Sequence, residues 1–499
     1  MGFPRLALAL IFAGLVGGCT VPQSERSAVS APPTSPFELS REQAAFAEDL
    51  SRRTFDYFWQ TTSVETCLAP DRWPSNPFSS IAATGFAITA YAVGVERGYV
   101  SRDQAVERTL KCVEFYHDAP QGPEASGISG HRGFFYHFLD NDSGHRHGTT
   151  ELSTVDTTLL LGGILFAQAY FDGADPRERR IRELAEAIYR RVDWRWAQRN
   201  TTGTEAGNLP NSHAIAMGWY PERNAFGTHD WVGYNEGMLV YVLAAASPTH
   251  PVGKDAWDQG WAAQLDEDWG TLYGYEHLGF APLFGHQYSH VWIDFRGIRD
   301  EYMRGKGIDY FENSRHATLA QRAYGRDNPG NWTGYSDELW GWTASDGPGP
   351  AHERMVNGRP RQFFAYAARG VGPKEIRDDG TIVPTAAGGS IPFAPEAAIP
   401  ALMAMKARYG DRLYTRYGFR DAFNPSFTFT DAASRRGTID PQLGWFAADH
   451  LGIDQGPILA MLENYRSDLI WRTMRRSPHI RNGLRRLGFT GGWLDEAPE

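Results

Sequence analysis

The 499-residue chain has only three cysteines, no excess of positive charge and no apolar run long enough to span a bilayer, and each shortage narrows what it can be. A formal net charge of −10 argues against nucleic acid or another polyanion as partner, since either calls for a lysine- and arginine-rich face. A neutral ligand suits it better. The sequence contains no GxxxxGK[ST] loop, no strand-linked GxGxxG and no GxSxG turn, so phosphate cradling and serine-nucleophile chemistry lack their sequence signs. No fixed repeat period and no Pro/Ser-rich linker interrupts the body, which disfavours solenoids and a two-domain chain.

The N-terminal apolar run, Leu6 to Leu15 behind Arg5, is too short to span a bilayer and leads into Val16-Gly17-Gly18-Cys19. That arrangement resembles a bacterial lipoprotein signal (1–19). Cys19 is then the expected lipidation site, residues 20–38 a flexible Ser/Pro/Ala-rich tether, and residues 39–499 a single domain. The expected location is the periplasm, held to a membrane, most readily the outer one, by the lipid. The alternative is an ordinary secretory signal in which Cys19 is incidental. In an oxidising compartment Cys67 and Cys112 are free to form a disulfide, with two buried thiols as the other outcome.

What is abundant is aromatic: 16 Trp, 22 Tyr and 28 Phe, 13% of the chain. Capping-box patterns at Ser40/Gln43 and Ser101/Gln104 open helices, and Gly98 stops the small-residue helix lying between them. Further helices are expected over about 153–170, 177–197, 231–246, 254–265, 310–326, 395–409 and 455–475, with strands confined to 133–139 and a piece near Thr381. One-sided helices such as RERRIRELAEAIYRRV alternate with helices apolar all round, such as TLLLGGILFAQAY and GMLVYVLAAA. A double ring produces that alternation. The expected fold is all-α, an (α/α)6 barrel with long aromatic-rich loops and minor β structure.

In such a barrel the loops entering the inner helices converge at one end, and here they carry Asp156, Glu236, Glu312 and Asp454. Acids in a first turn also complement the helix dipole without any further role. Beside these stand Trp231, Tyr234, Asn235, Phe311 and Asn313, the mixture of rings and amides a polyhydroxylated ligand needs. Paired carboxyl groups suit glycosidic cleavage, one protonating the leaving oxygen and the other activating water or attacking carbon. The passage from Phe284 to Asp346 repeats the mixture of rings and polar groups and reads as part of a sugar cleft. His286, His290 and Asp294 are spaced for one helical face, but Gln287 replaces the glutamate of the metalloprotease pattern, so no metal is expected. The histidines around GHRHG (His131, His137, His145, His147) read as sugar-contacting or solvated.

The segments ELSTVDTTLLLGGIL, YNEGMLVYVLAAASPTHP, FGHQYSHVWIDFRGIRDEYM, GIDYFENSRHATLAQRAY, LWGWTASDGP and DQGPILAMLENYRSDLIW resemble the bacterial glycoamylase-like glycoside hydrolases of family 144. That group contains β-1,2-glucanases and sophorose-releasing exo enzymes, and the match runs from about Phe55 to Phe489. The resemblance implies an (α/α)6 barrel, inverting hydrolysis of neutral β-1,2-glucan and no cofactor. It implies Glu236 of the YNE motif as general acid and Asp454 of the DQGP motif on the base side. Asp140, Glu151, Asp156, Trp231, Tyr234, Asn235, Gln287, His290, Asp294, Arg296, Glu312, Asn313 and Trp340 are the expected substrate contacts, with Asp140, Glu151 and Asp156 the alternative candidates for one of the two catalytic roles. A polysaccharide lyase using Tyr288 and His290, or a non-catalytic glycan-binding lipoprotein, are the alternatives.

Overall fold

In the computed structural model of the chain, the described residues are 37–199, 213–349, 352–434 and 436–497. Cys19 and nearly all of the expected tether lie outside them.

From Arg41 onward, helices with one buried stripe alternate with helices buried on every side. The outward set is Arg41–Thr61, Arg102–Asp118, Pro176–Arg190, Tyr310–Asp327 and Pro395–Tyr409, with an irregular helical stretch over 256–268 filling the sixth position. The inward set is Ile81–Glu96, Thr154–Tyr170, Met238–Ala246, Tyr288–Trp292, Pro384–Gly388 and Gly452–Ser467. This is the double ring of an α/α toroid, and two of its inner helices are only five residues long.

Inner helices can lie close where side chains are small. A Cβ on Gly163 would sit 2.1 Å from the carbonyl oxygen of Gly85, so the Ile81–Glu96 and Thr154–Tyr170 helices touch backbone to backbone there. The ring is also tied by side chains at the helix starts. Ser289 Oγ donates to the carbonyl of Glu236 at 3.0 Å, Gln287 Nε2 to that of Ala386 at 2.9 Å, and Thr385 Oγ1 to that of Asp454 at 3.0 Å. Packing of Gly452–Ser467 on Ile81–Glu96 closes the circle.

Several expected elements differ in extent. The 231–246 helix begins only at Met238, because Gly233 has a φ of 76° and Asn235 Oδ1 accepts the Gly237 N–H at 2.8 Å, a turn in place of a first helical turn. The 455–475 helix breaks at Asp468, whose φ is 56°, and Leu469–Arg475 packs against the inner helices Thr154–Tyr170 and Tyr288–Trp292. Strands exceed expectation: a five-stranded antiparallel sheet built on Phe134–Tyr136, Leu152–Ser153 and Gly218–Tyr220 flanks the starts of the inner helices, and His352–Val356 pairs with Arg359–Phe363. Cys67 and Cys112 are joined by a disulfide with Cα atoms 5.0 Å apart, fastening the loop after the first outer helix to the second.

Candidate active site

The turn before Met238 presents Glu236 at the rim of the ring, in the wall of a 440 Å³ cavity with Trp231, Tyr234, Asn235, Asp268, Phe280 and Lys374. Its Oε2 has no hydrogen-bond partner among the described residues. Burial, with a smaller push from the Asp156 charge, raises this carboxyl from an ordinary 4.5 to about 7, so it holds a proton near neutrality. The turn itself is rigid: Tyr234 N–H donates to Asp268 Oδ2 at 2.7 Å, and Trp231 Nε1 to Thr154 Oγ1 at 2.9 Å.

Trp231 and Met217 are shared with a second cavity of 330 Å³, walled also by His137, Glu151, Asp156, Tyr220 and His229. Ser153 caps the Thr154–Tyr170 helix by accepting the Asp156 N–H at 3.1 Å, and its hydroxyl donates to Asp156 Oδ2 at 2.5 Å. His137 bridges the two acids, with Nδ1 2.7 Å from Glu151 Oε1 and Nε2 3.4 Å from Asp156 Oδ1. Against the cost of burial, the charges of Asp156 and Glu151 lift His137 to about 9, and the imidazolium brings Glu151 down to about 2. These three side chains have metal-compatible spacing. A histidine held as a cation is a poor metal ligand, and the trio reads as an ion-pair chain.

Asp454, in the first turn of the Gly452–Ser467 helix, is only 4% exposed and meets Asp421, which is 1% exposed. Burial pushes both upward; the Asp421 carboxyl adds to the rise at Asp454, while Asp421 is carried to about 8 by burial and the Asp346 charge, with Asp454 acting against the rise. Around them Arg72 holds Asp346 at 2.7 Å and Asp71 at 3.2 Å. Tyr288 joins this group to the first, for its phenol feels the charges of Asp454, Glu236 and Asp156 together.

The remaining expected contacts lie elsewhere. Asp294 and Arg296 follow the C-terminal end of the short Tyr288–Trp292 helix, past the ring from the acids. There Arg296 bonds Asp294 at 2.8 Å and Asp468 at 2.9 Å, and Arg475 joins them. His290 is fully buried between Phe295 and Phe393, 3.2 Å from Ser314 Oγ, and burial lowers it to about 3. Gln287 ties inner helices together, Asn313 Oδ1 accepts the Leu278 N–H at 2.7 Å, and Trp340 is core. Glu312 pairs with His316 at 3.1 Å, and Asp140 caps its own turn by accepting the Ser143 N–H at 2.9 Å. Asp71, Arg72, Asp346 and Asp421 escaped the sequence reading because three stretches of chain, far apart in sequence, bring them together. The only local sign was Asp346 at the end of GYSDELWGWTASDGP.

An α/α toroid with carboxyl groups gathered at the inner-helix starts, beside aromatic-walled cavities, sets the class. Within it, the Glycoamylase family model, described as "Putative glucoamylase", matches residues 228–478, and the chain belongs to that family. It is 33% identical to a Bacteroides uniformis protein crystallised under the same glucoamylase description, with a TM-score of 0.75 over 92% of this chain and 100% of that one. An endo-β-1,2-glucanase of Chitinophaga pinensis, solved with sophorotriose and glucose, is 28% identical with a TM-score of 0.73, over 91% of this chain and 100% of that one. An exo β-1,2-glucooligosaccharide sophorohydrolase of Parabacteroides distasonis is 28% identical over 462 residues. The match covers 87% of this chain and 56% of that longer protein.

Proposed function

We propose that the protein is a glycoside hydrolase that cleaves β-1,2-linked glucan, with Glu236 as general acid and Asp454 on the base side. The observation that carries this is Glu236: a carboxyl with a free oxygen, held near pKa 7, in the wall of a cavity of sugar-binding size. The names of the relatives supply the linkage. Glu236 gives its proton to the glycosidic oxygen as the C1–O bond breaks, while Asp454 takes a proton from the water that adds to C1. The product anomer is then inverted. Trp231, Tyr234 and Asn235 wall the cleft, and the ion-paired Glu151 and Asp156 face sugar hydroxyls in the adjoining cavity.

Endo action and sophorose release from a chain end are separated by one product profile on linear β-1,2-glucan, followed over time. No product from that glucan, with β-1,3-glucan or starch cleaved instead, overturns the linkage. The lyase alternative gains no support, since His290 is buried against Ser314 and two residues from Tyr288 on a helix, where side chains diverge. The leader ending at Cys19 supports a lipid-anchored periplasmic location. Labelling with a radioactive fatty acid tests it, and a Cys19→Ala chain should take up none.

A further inference from the structure

One exposed ring needs no explanation by itself, but the setting of Tyr366 does. It leaves 55% of its surface open beside groups that are shut away, Asp346 at 1% and Arg72 at 7%. Strand pairing puts it there. Ala344 and Ser345 pair antiparallel with Ala368 and Ala367, and the next residues beyond the end of that ladder are Asp346 on one strand and Tyr366 on the other. Asp346 is in turn held by Arg72 at 2.7 Å and gives its N–H to Asp421 Oδ2 at 2.8 Å.

The bend that carries the ring is fixed from inside the protein. Arg369 and Asp379, both 0% exposed, pair at 2.7 Å. Arg369 Nη2 donates to the carbonyls of Phe364 at 3.2 Å and Ala365 at 3.1 Å, and its Nη1 to that of Ser345 at 2.8 Å. Asp379 Oδ2 accepts the Phe364 N–H at 2.9 Å. A buried ion pair thus spends its donors and an acceptor on the backbone beside an exposed tyrosine. Onward from the bend the chain reaches the acid side: Val371 N–H donates to the Ala281 carbonyl at 2.9 Å, and Gly372, Lys374 and Glu375 stand with Ala281 in the wall of the Glu236 cavity. One segment, 364–375, therefore runs from the Asp346 group to the cavity of the general acid. The Tyr288 phenol feels the charges of Asp454, Tyr366 and Glu236, which puts Tyr366 in the same cleft.

A ring fixed before a ligand arrives loses little freedom on contact, and the apolar face of a glucosyl unit can lie on it while the hydroxyl groups stay wet. The crowded setting, then the charges of Asp454, Asp421, Asp71 and Asp346, raise the phenol above its ordinary 10. Its hydroxyl therefore keeps its proton and can donate to a sugar oxygen.

We propose that Tyr366 is a substrate-binding residue on the base side of the cleft, a platform for one glucosyl unit of a β-1,2-glucan. The proposal rests on the hydrolase reading given above.

Calorimetry on Glu236→Gln protein, which leaves a β-1,2-glucan oligosaccharide intact, tests it. Adding Tyr366→Ala should weaken Kd about 10-fold, the loss of one ring contact. Tyr366→Phe keeps the ring and should stay within ~3-fold. Met355→Ala, at a residue 62% exposed on the preceding hairpin, should change nothing. Hydroxyl-radical footprinting of the Glu236→Gln protein needs no change at position 366, and the oligosaccharide should protect both Trp231 and Tyr366 from oxidation. Protection of Trp231 with Tyr366 still oxidised, or an unchanged Kd in a folded Tyr366→Ala variant, overturns the proposal and leaves the hydrolase reading standing. Protection of neither ring, with no heat of binding, removes both.

Discussion

Glu236→Gln removes one proton and almost no volume, so its effects separate chemistry from shape. A positioned general acid contributes about 10²–10⁴ in rate, equivalent to ~3–5 kcal/mol of barrier. The kcat on linear β-1,2-glucan should fall by that factor. The loss should nearly vanish on a dinitrophenyl sophoroside, whose leaving group departs without a proton. Stability supplies an independent reading. The fold raises this carboxyl from 4.5 to about 7, and at about 1.4 kcal/mol per pH unit its ionised form costs the native state up to ~3 kcal/mol.

The folded protein binds the Glu236 proton more tightly than the unfolded chain, so the parent loses this much as pH rises from about 4.5 through 7. Gln cannot ionise. Urea melts at pH 4 should therefore find parent and variant alike, and melts at pH 8 should find the variant more stable by up to ~3 kcal/mol. Equal rate losses on both substrates, or a stability difference independent of pH, would refute the reasoning.

His137 gives a related signature with a different origin. Its raised value means that its ion-pair stabilisation is complete below pH 6.5 and lost as pH climbs through about 9. Parent stability should fall by up to ~3 kcal/mol over that window, a fall absent from His137→Gln. Trp231 walls both cavities, so Trp231→Ala should raise KM about 5- to 10-fold, the equivalent of ~1–1.4 kcal/mol of lost ring contact. An unchanged KM would remove Trp231 from the cleft. The Cys67–Cys112 bond closes a separation of 45 residues, worth about 4 kcal/mol in the chain-entropy model. Reduction with dithiothreitol should lower Tm by several degrees, and a Tm indifferent to reductant would contradict the bond.

The ring was legible because burial on all sides leaves a compositional mark. TLLLGGILFAQAY and GMLVYVLAAA have no polar face, and the structure surrounds both. The acids at the starts of those helices were legible for the same reason, as the polar boundary of an apolar run. The Phe284 to Asp346 passage reads differently once folded. Tyr288 faces the acids, yet after a five-residue inner helix the chain has already crossed the ring to Asp294. Rings interleaved with polar groups thus mark two places: a cleft near Tyr288, and an ion-pair cluster in which half-buried Arg296, Arg475 and Asp468 gather on buried Asp294. Interleaving alone does not distinguish them. Both demand hydrogen-bonding groups beside apolar surface, and only the crossing of the ring tells one from the other.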